Sequence, residues 1–169
     1  LRPFTTQLIA ARIMLDGRLA EMATGEGKTL AAGLCAAVAA LAGIPVHVIT
    51  ANDYLVARDA AWLRPLFNVL GLEVGAVTQN LTHAQRLQAY NCDIVYCTAK
   101  ELAFDYLRDG LTRAASKPLQ RKTPVGIVGD HRGTLLRGLC MAVVDEADSV
   151  LIDEACVPLV LSERRENAG

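Results

Sequence analysis

Apolar and polar positions change period several times along the chain, and each change marks an element. From Thr5 to Leu15 apolar residues recur at helical spacing, and Leu19 to Met22 follows as a short strand candidate. Thr24 to Lys28 is a glycine-rich turn that opens into an alanine-rich helix, Thr29 to Leu41. After the Gly43–Pro45 turn, Val46 to Thr50 is a compact β-branched strand. Asn52 to Leu70 predicts a helix, with Asn52 or Asp53 as its cap and Gly71 as its stop. Glu73 to Val77 predicts a strand, Thr82 to Tyr90 a helix with Thr82 as a cap, Asp93 to Cys97 a strand and Ala99 to Arg108 a helix. Met141 to Val144 is the final strand, followed by an acidic turn and a short helix. Strands alternating with helices of these lengths predict an α/β fold, a three-layer sandwich whose mostly parallel sheet is covered on both faces.

One stretch breaks the alternation. Arg113 to Gly138 is rich in glycine and basic residues, with short apolar runs only at Val125–Val128 and Leu135–Leu136. A loop that long inside a compact domain is uncommon, so residues 113–138 are expected to be an exposed insertion or mobile loop. The rest is ordinary globular composition: 169 residues, 52% hydrophobic and 21% charged, enough for one domain with its own core. The net charge of −1 provides no global basic field for nucleic acid. The five cysteines are irregularly spaced with no C-x-x-C pair, which suits buried thiols in a reducing cytoplasm better than a disulfide framework or zinc site. No secretory leader is expected at the start of the chain. Leu30 to Val46 has nearly the length of a membrane span, but glycines and Pro45 interrupt it and alanine dominates it, so a buried helix, turn and strand fit better.

Three clusters carry candidate chemistry. Thr24-Gly25-Glu26-Gly27-Lys28-Thr29 lies between a strand candidate and a helix, the context a phosphate loop requires. Its glycines let the backbone amides curl inward, and the helix behind adds the positive end of its dipole. Lys28 is placed to reach the outer phosphates and the Thr29 hydroxyl to ligate Mg²⁺. The strict G-x-x-x-x-G-K-[ST] pattern fails at Met22, but the helicase-like form A-x-T-G-x-G-K-T accommodates that residue. The second cluster is Asp145-Glu146 at the end of the last apolar strand, where open α/β sheets bind their ligands. Asp145 is placed to hold Mg²⁺ through water and Glu146 to polarise the attacking water. Acidic turns end many strands, so this pair gains meaning only beside the phosphate loop. Asp148 either contacts a further motif or caps the helix from Ser149. The third cluster, Arg2 to Gln7, is the weakest: the Gln7 amide suits the N6 and N7 edge of adenine and Phe4 is placed to pack on the base, but a glutamine at a helix start is usually solvated.

In this order the motifs resemble the SecA family, the motor ATPases of bacterial preprotein translocation. The resemblance runs through R-x-F-x-x-Q at Arg2 to Gln7, A-E-M-x-T-G-E-G-K-T-L at Ala20 to Leu30 and V-H-V-I-T-A-N-D-Y-L-x-x-R-D at Val46 to Asp59. It continues through R-P-L-F at Arg64 to Phe67, G-L-x-V-G at Gly71 to Gly75, F-D-Y-L-R-D at Phe104 to Asp109 and V-D-E-A-D-S-V-L-I-D-E-A at Val144 to Ala155. It implies that residues 1–169 form the first RecA-like nucleotide-binding (DEAD-like) domain of such a motor. Lys28 and Glu146 would be catalytic. Phe4, Gln7, Thr24, Gly25, Glu26, Gly27, Lys28, Thr29 and Asp145 would bind ATP or ADP, and Thr29 and Asp145 would hold Mg²⁺. It further implies a second RecA-like domain that supplies arginines, an inserted peptide-clamping domain, and preprotein and membrane-channel partners. The location would be cytoplasmic, peripheral to the membrane. On charge alone, the basic residues from Arg113 to Arg137 could touch anionic lipid, although a charged loop is more often just solvated. The chain departs from the family pattern at Thr5, Ala99–Lys100 and Cys156, as a divergent member would. The alternatives are a DEAD-like nucleic-acid helicase core of the same superfamily, which the charge makes less favourable, and a binding module that has lost turnover.

Overall fold

The computed structural model describes residues 2–115 and 134–154. The Val125–Val128 run, Cys156 and most of the 113–138 excursion lie outside the described residues. The elements in chain order are α1 (Thr5–Leu15), α2 (Lys28–Leu41), β1 (Val46–Thr50), α3 (Asp53–Val69), β2 (Val74–Ala76), α4 (His83–Tyr90), β3 (Ile94–Thr98), α5 (Ala99–Ala115), β4 (Met141–Val144) and a π-helical turn, Ser149–Asp153. Local chemistry sets their ends. The Asn52 side chain accepts the Leu55 amide and caps α3, while Thr82 and Gln85 form a reciprocal capping box on α4.

The four strands form one parallel sheet in the order β2-β3-β1-β4. Val48 of β1 stands between Tyr96 of β3 and Val143 of β4, and Thr50 pairs with Thr98. Every residue of β1 and β3 is buried, as a parallel sheet covered on both faces demands. One face carries Val46, Val48, Ile94, Tyr96 and Val143 against Cys35, Val56, Leu63 and Phe67 of α2 and α3, with Ala11 of α1 at its margin. The other carries Ile49, Val95 and Cys97 against Tyr90 of α4, Leu102 of α5, Leu135, Leu136 and Val150. Among the described residues no helix is long and apolar enough to cross a membrane.

Two expectations change. Leu19 to Met22 forms no strand: it pairs with no strand among the described residues, Leu19 is 83% exposed, and β4 ends the sheet on the β1 side. Four residues without a partner strand lack the ladder that would hold them extended. Nor does α5 stop at Arg108, because its inward face is acidic. Glu101, Asp105 and Asp109, spaced i, i+4 and i+8, are all buried. Asp109 accepts the amides of Leu135 and Leu136 at 2.8 Å each, so Thr134 to Leu136 of the 113–138 excursion are tied into the core, while Arg137 beside them is exposed.

Asp105 is fully buried and accepts hydrogen bonds from Arg86, Tyr90 and Arg108. Arg86 also pairs with Glu101 and donates to the carbonyls of Thr78 and Gln79. Burial and the Asp105 carboxylate push the Tyr90 phenol up, so it stays protonated and donates. Removing one partner of such a network leaves buried charge unmatched. Asp105→Ala should therefore destabilise the chain by about 3–5 kcal/mol, measured as a loss of unfolding free energy in urea. A loss below about 1 kcal/mol would mean that the network is solvated.

Candidate active site

The phosphate loop runs from Ala23 to Thr29 and is closed by its own residues. The Ala23 amide donates to the Glu26 carboxylate at 3.0 Å, and the Glu26 amide donates to the Ala23 carbonyl. Gly25 and Gly27 take φ of 87° and 81°, the left-handed region that glycine enters without strain. Gly27 is the N-cap of α2, no side chain caps that helix, and its first turn contains no acid. Uncapped amides at a helix N-terminus, with Lys28 as the first helical residue and Thr29 beside it, are donors of the kind that an anion of phosphate type can engage.

Gln7 braces this loop. Its side chain is 5% exposed, so it is not a solvated helix start. Its Nε2 donates to the Glu26 carbonyl at 2.9 Å and its Oε1 accepts the Phe4 amide at 3.0 Å. A Cβ at position 27 would sit 2.3 Å from Gln7 Nε2, so the bracing requires glycine there twice over. Each of these bonds uses half of the amide, leaving one N–H and one lone pair, the pair of groups that an adenine edge would engage. Phe4 is 72% exposed at the start of the same helix.

Asp145 and Glu146 follow β4, and the Asp145 amide continues the ladder to the Ile49 carbonyl at 2.8 Å. The Asp145 carboxylate accepts the Glu146 amide at 3.1 Å. Burial pushes the Asp145 carboxyl up, with Glu146 and Asp59 adding to the shift, while the Glu146 amide and Lys28 pull it down. The loop lysine and the strand-end carboxylate therefore lie within electrostatic reach of each other. Glu146 has φ of 54°, the one positive value at a non-glycine residue among those described. A raised folded-state carboxyl costs stability once ionised, above its folded pKa, and costs nothing below the unfolded value. Asp145→Asn should thus raise the nucleotide-free unfolding midpoint at neutral pH, with the gain fading as the pH falls below the carboxylate range. An unchanged midpoint at neutral pH would contradict this.

Thr24 is exposed on the loop. Asn52 and Asp53, the helix-cap candidates of the sequence, line with Gln79, Lys100, Glu101 and Glu154 a crevice of about 140 Å³ at the ends of β1 and β3. Asp148 makes no side-chain cap on the π-helical turn. Asp59, Tyr96 and Thr50 had no assigned role in the sequence, yet they are buried on the sheet face that also bears Asp145. Asp59 lies within the N-D-Y-L-x-x-R-D run, the one signal that pointed to it.

The sequence profile of the SecA DEAD-like domain matches residues 1–169. Protein translocase subunit SecA 2 of Bordetella avium (strain 197N) is 53% identical over 169 residues, covering 98% of this chain but 26% of its own length. Protein translocase subunit SecA of Caldicellulosiruptor saccharolyticus is 45% identical over 168 residues, 99% of this chain and 18% of its own. The chain thus spans about a quarter or less of these relatives. Among solved structures, a hypothetical ATP-dependent RNA helicase from Sulfolobus tokodaii shares the fold, with a TM-score of 0.52 and 23% identity over 64% of this chain and 33% of its own. The fold is that of a RecA-like α/β domain, and the chain belongs to the SecA DEAD-like domain family.

Proposed function

We propose that this chain forms one wall of the ATP site of a protein-translocating motor, and that ATP binding and hydrolysis there drive movement of a preprotein. The observation that carries the reading is the packing of α2, an uncapped, glycine-led helix with Lys28 at its first position, against β4, the strand that ends in Asp145–Glu146. The backbone amides from Gly25 to Thr29 and the Lys28 ammonium hold the outer phosphates. The Thr29 hydroxyl and Asp145 would hold Mg²⁺, the latter through water. When bound, the metal would supply positive charge to the phosphate oxygens. Glu146 orients the attacking water and accepts its proton. Phe4 packs on the base and Gln7 reads its edge. A second RecA-like domain of the same protein completes the site, and the preprotein and a membrane channel are the partners. Its work is done at the cytoplasmic face of the membrane, where anionic lipid is in reach.

The reading is tested on the full-length protein by ATP hydrolysis with and without an unfolded preprotein and membrane vesicles, beside a duplex-unwinding assay. Stimulation by preprotein with no unwinding is expected. Unwinding without preprotein stimulation would favour a helicase.

Base selection is a separate expectation. Leaving a buried polar group unmatched costs about 1–3 kcal/mol, so ADP should bind roughly 5- to 150-fold more tightly than GDP. Gln7→Ala should erase that preference and also weaken both nucleotides, because the Glu26 carbonyl loses its donor. Competition titrations measure both effects, and unchanged selectivity would leave Gln7 with no role in reading the base.

A further inference from the structure

Behind Asp145 lies a set of buried polar groups that the nucleotide reading does not use. Thr50 and Tyr96 are each 1% exposed, and the Thr50 Oγ1 and Tyr96 hydroxyl find no hydrogen-bond partner among the described residues. Valine and phenylalanine would fill the same volumes without that cost. Strand register puts both side chains on the α2/α3 face. Tyr96 pairs with Val48, and Thr50 is two residues further along β1. Ile49 pairs with Val144, so the next step of the ladder sets Thr50 beside Asp145 on the same face. Asp59, 3% exposed, projects onto this face from α3, with Arg58 Nε donating to its Oδ1 at 2.7 Å. After burial, the charges of Asp59 and Asp145 are what push the Tyr96 phenol up.

We propose that Thr50, Tyr96 and Asp59 line a buried polar chamber holding water behind Asp145, and that they are positioning residues for the Asp145 carboxylate. Buried waters occupy such sites because they supply about three hydrogen bonds to groups that the protein leaves unmatched. Here the two hydroxyls donate through water toward the carboxylates, which fixes the orientation of Asp145. Groups that orient a metal-binding carboxylate in this way typically change metal affinity by about 10- to 100-fold when removed. The inference rests on the assignment of Asp145 to Mg²⁺ in the proposed function.

The experiment uses the full-length protein and the variants Tyr96→Phe, Thr50→Val and Thr50→Ser. ADP affinity is measured in EDTA and across a MgCl₂ titration, with the nucleotide-free unfolding midpoint as a second readout. Tyr96→Phe and Thr50→Val should leave the midpoint unchanged or higher and the EDTA affinity unchanged. The Mg²⁺ concentration that half-maximally tightens ADP should rise about tenfold or more. Thr50→Ser, which keeps the hydroxyl, should stay close to wild type. An unchanged Mg²⁺ requirement in both hydroxyl-deleting variants overturns the proposal. So does a lowered midpoint with equal losses of affinity in EDTA and Mg²⁺, which marks a structural role. Lys28→Ala separates the two layers of argument. If it abolishes ADP binding while Tyr96→Phe keeps a normal Mg²⁺ requirement, only the chamber is wrong; if wild type binds no ADP, both readings fall.

Discussion

Lys28→Ala is expected to reduce Mg-ADP and Mg-ATP affinity by at least about 100-fold. The ammonium at the first position of α2 is the only charged side chain of the loop suited to a phosphate: Glu26 is acidic, and its carboxylate turns back onto the Ala23 amide. Two charge-assisted hydrogen bonds to phosphate oxygens, at about 1.5–3 kcal/mol each, set that lower limit. The loop itself should persist, because its shape comes from Gly25, Gly27 and the Gln7 brace and not from the lysine. Calorimetric titration of wild type and variant measures the loss. Equal affinities would remove the nucleotide from this loop.

Glu146→Gln should bind nucleotide as wild type does and hydrolyse ATP at least about 100-fold more slowly, the usual scale for losing a general base. Its backbone φ of 54° is the reason to single it out from the other acids after β4. A non-glycine residue held in that region costs stability, and such strain persists where the surrounding structure enforces it. Asp145 continues the ladder from β4 and stays half-buried, whereas Glu146 is exposed at the turn. The two carboxylates thus divide into one that faces inward and one that is free to meet water. Single-turnover hydrolysis by the full-length protein distinguishes them. Near-normal turnover in the variant would move the base to another residue.

Much of the fold was legible because burial on both faces of a parallel sheet leaves compact apolar runs. β1, buried throughout, and the edge strand β4, in which Val143 alone is buried, stand where Val46–Thr50 and Met141–Val144 predicted them, and caps at Asn52 and Thr82 marked helix starts. Failures came where polarity and burial separate. Glu101, Asp105 and Asp109 are acidic, yet they form the buried face of α5, to which the sequence pattern assigned no role. Their partners, Arg86 and the amides of Leu135 and Leu136, are distant in the chain, so no local pattern reveals them. Leu19 to Met22 failed for the opposite reason: short apolar character without a neighbouring strand does not make a ladder.

The candidate site was legible as motifs and not as geometry. The glycines, Lys28 and the Asp145–Glu146 pair could be read because each residue type has a chemical reason at its spacing. The grip of Gln7 on Glu26 could not be, since it joins residues 19 apart through one side chain and one carbonyl. Nor could the burial of Thr50, Asp59 and Tyr96 behind Asp145, which arises only when β1, β3, β4 and α3 come together.

The most direct test of the central claim is amide hydrogen exchange on the full-length protein with and without Mg-ADP. The amides of Gly25 to Leu30, at the uncapped start of α2, and those of Asp145 to Ala147 should be protected together. Protection absent from both segments and confined to Ala51–Asp53 and Thr98–Glu101, around the crevice at the ends of β1 and β3, would contradict a phosphate site at Lys28.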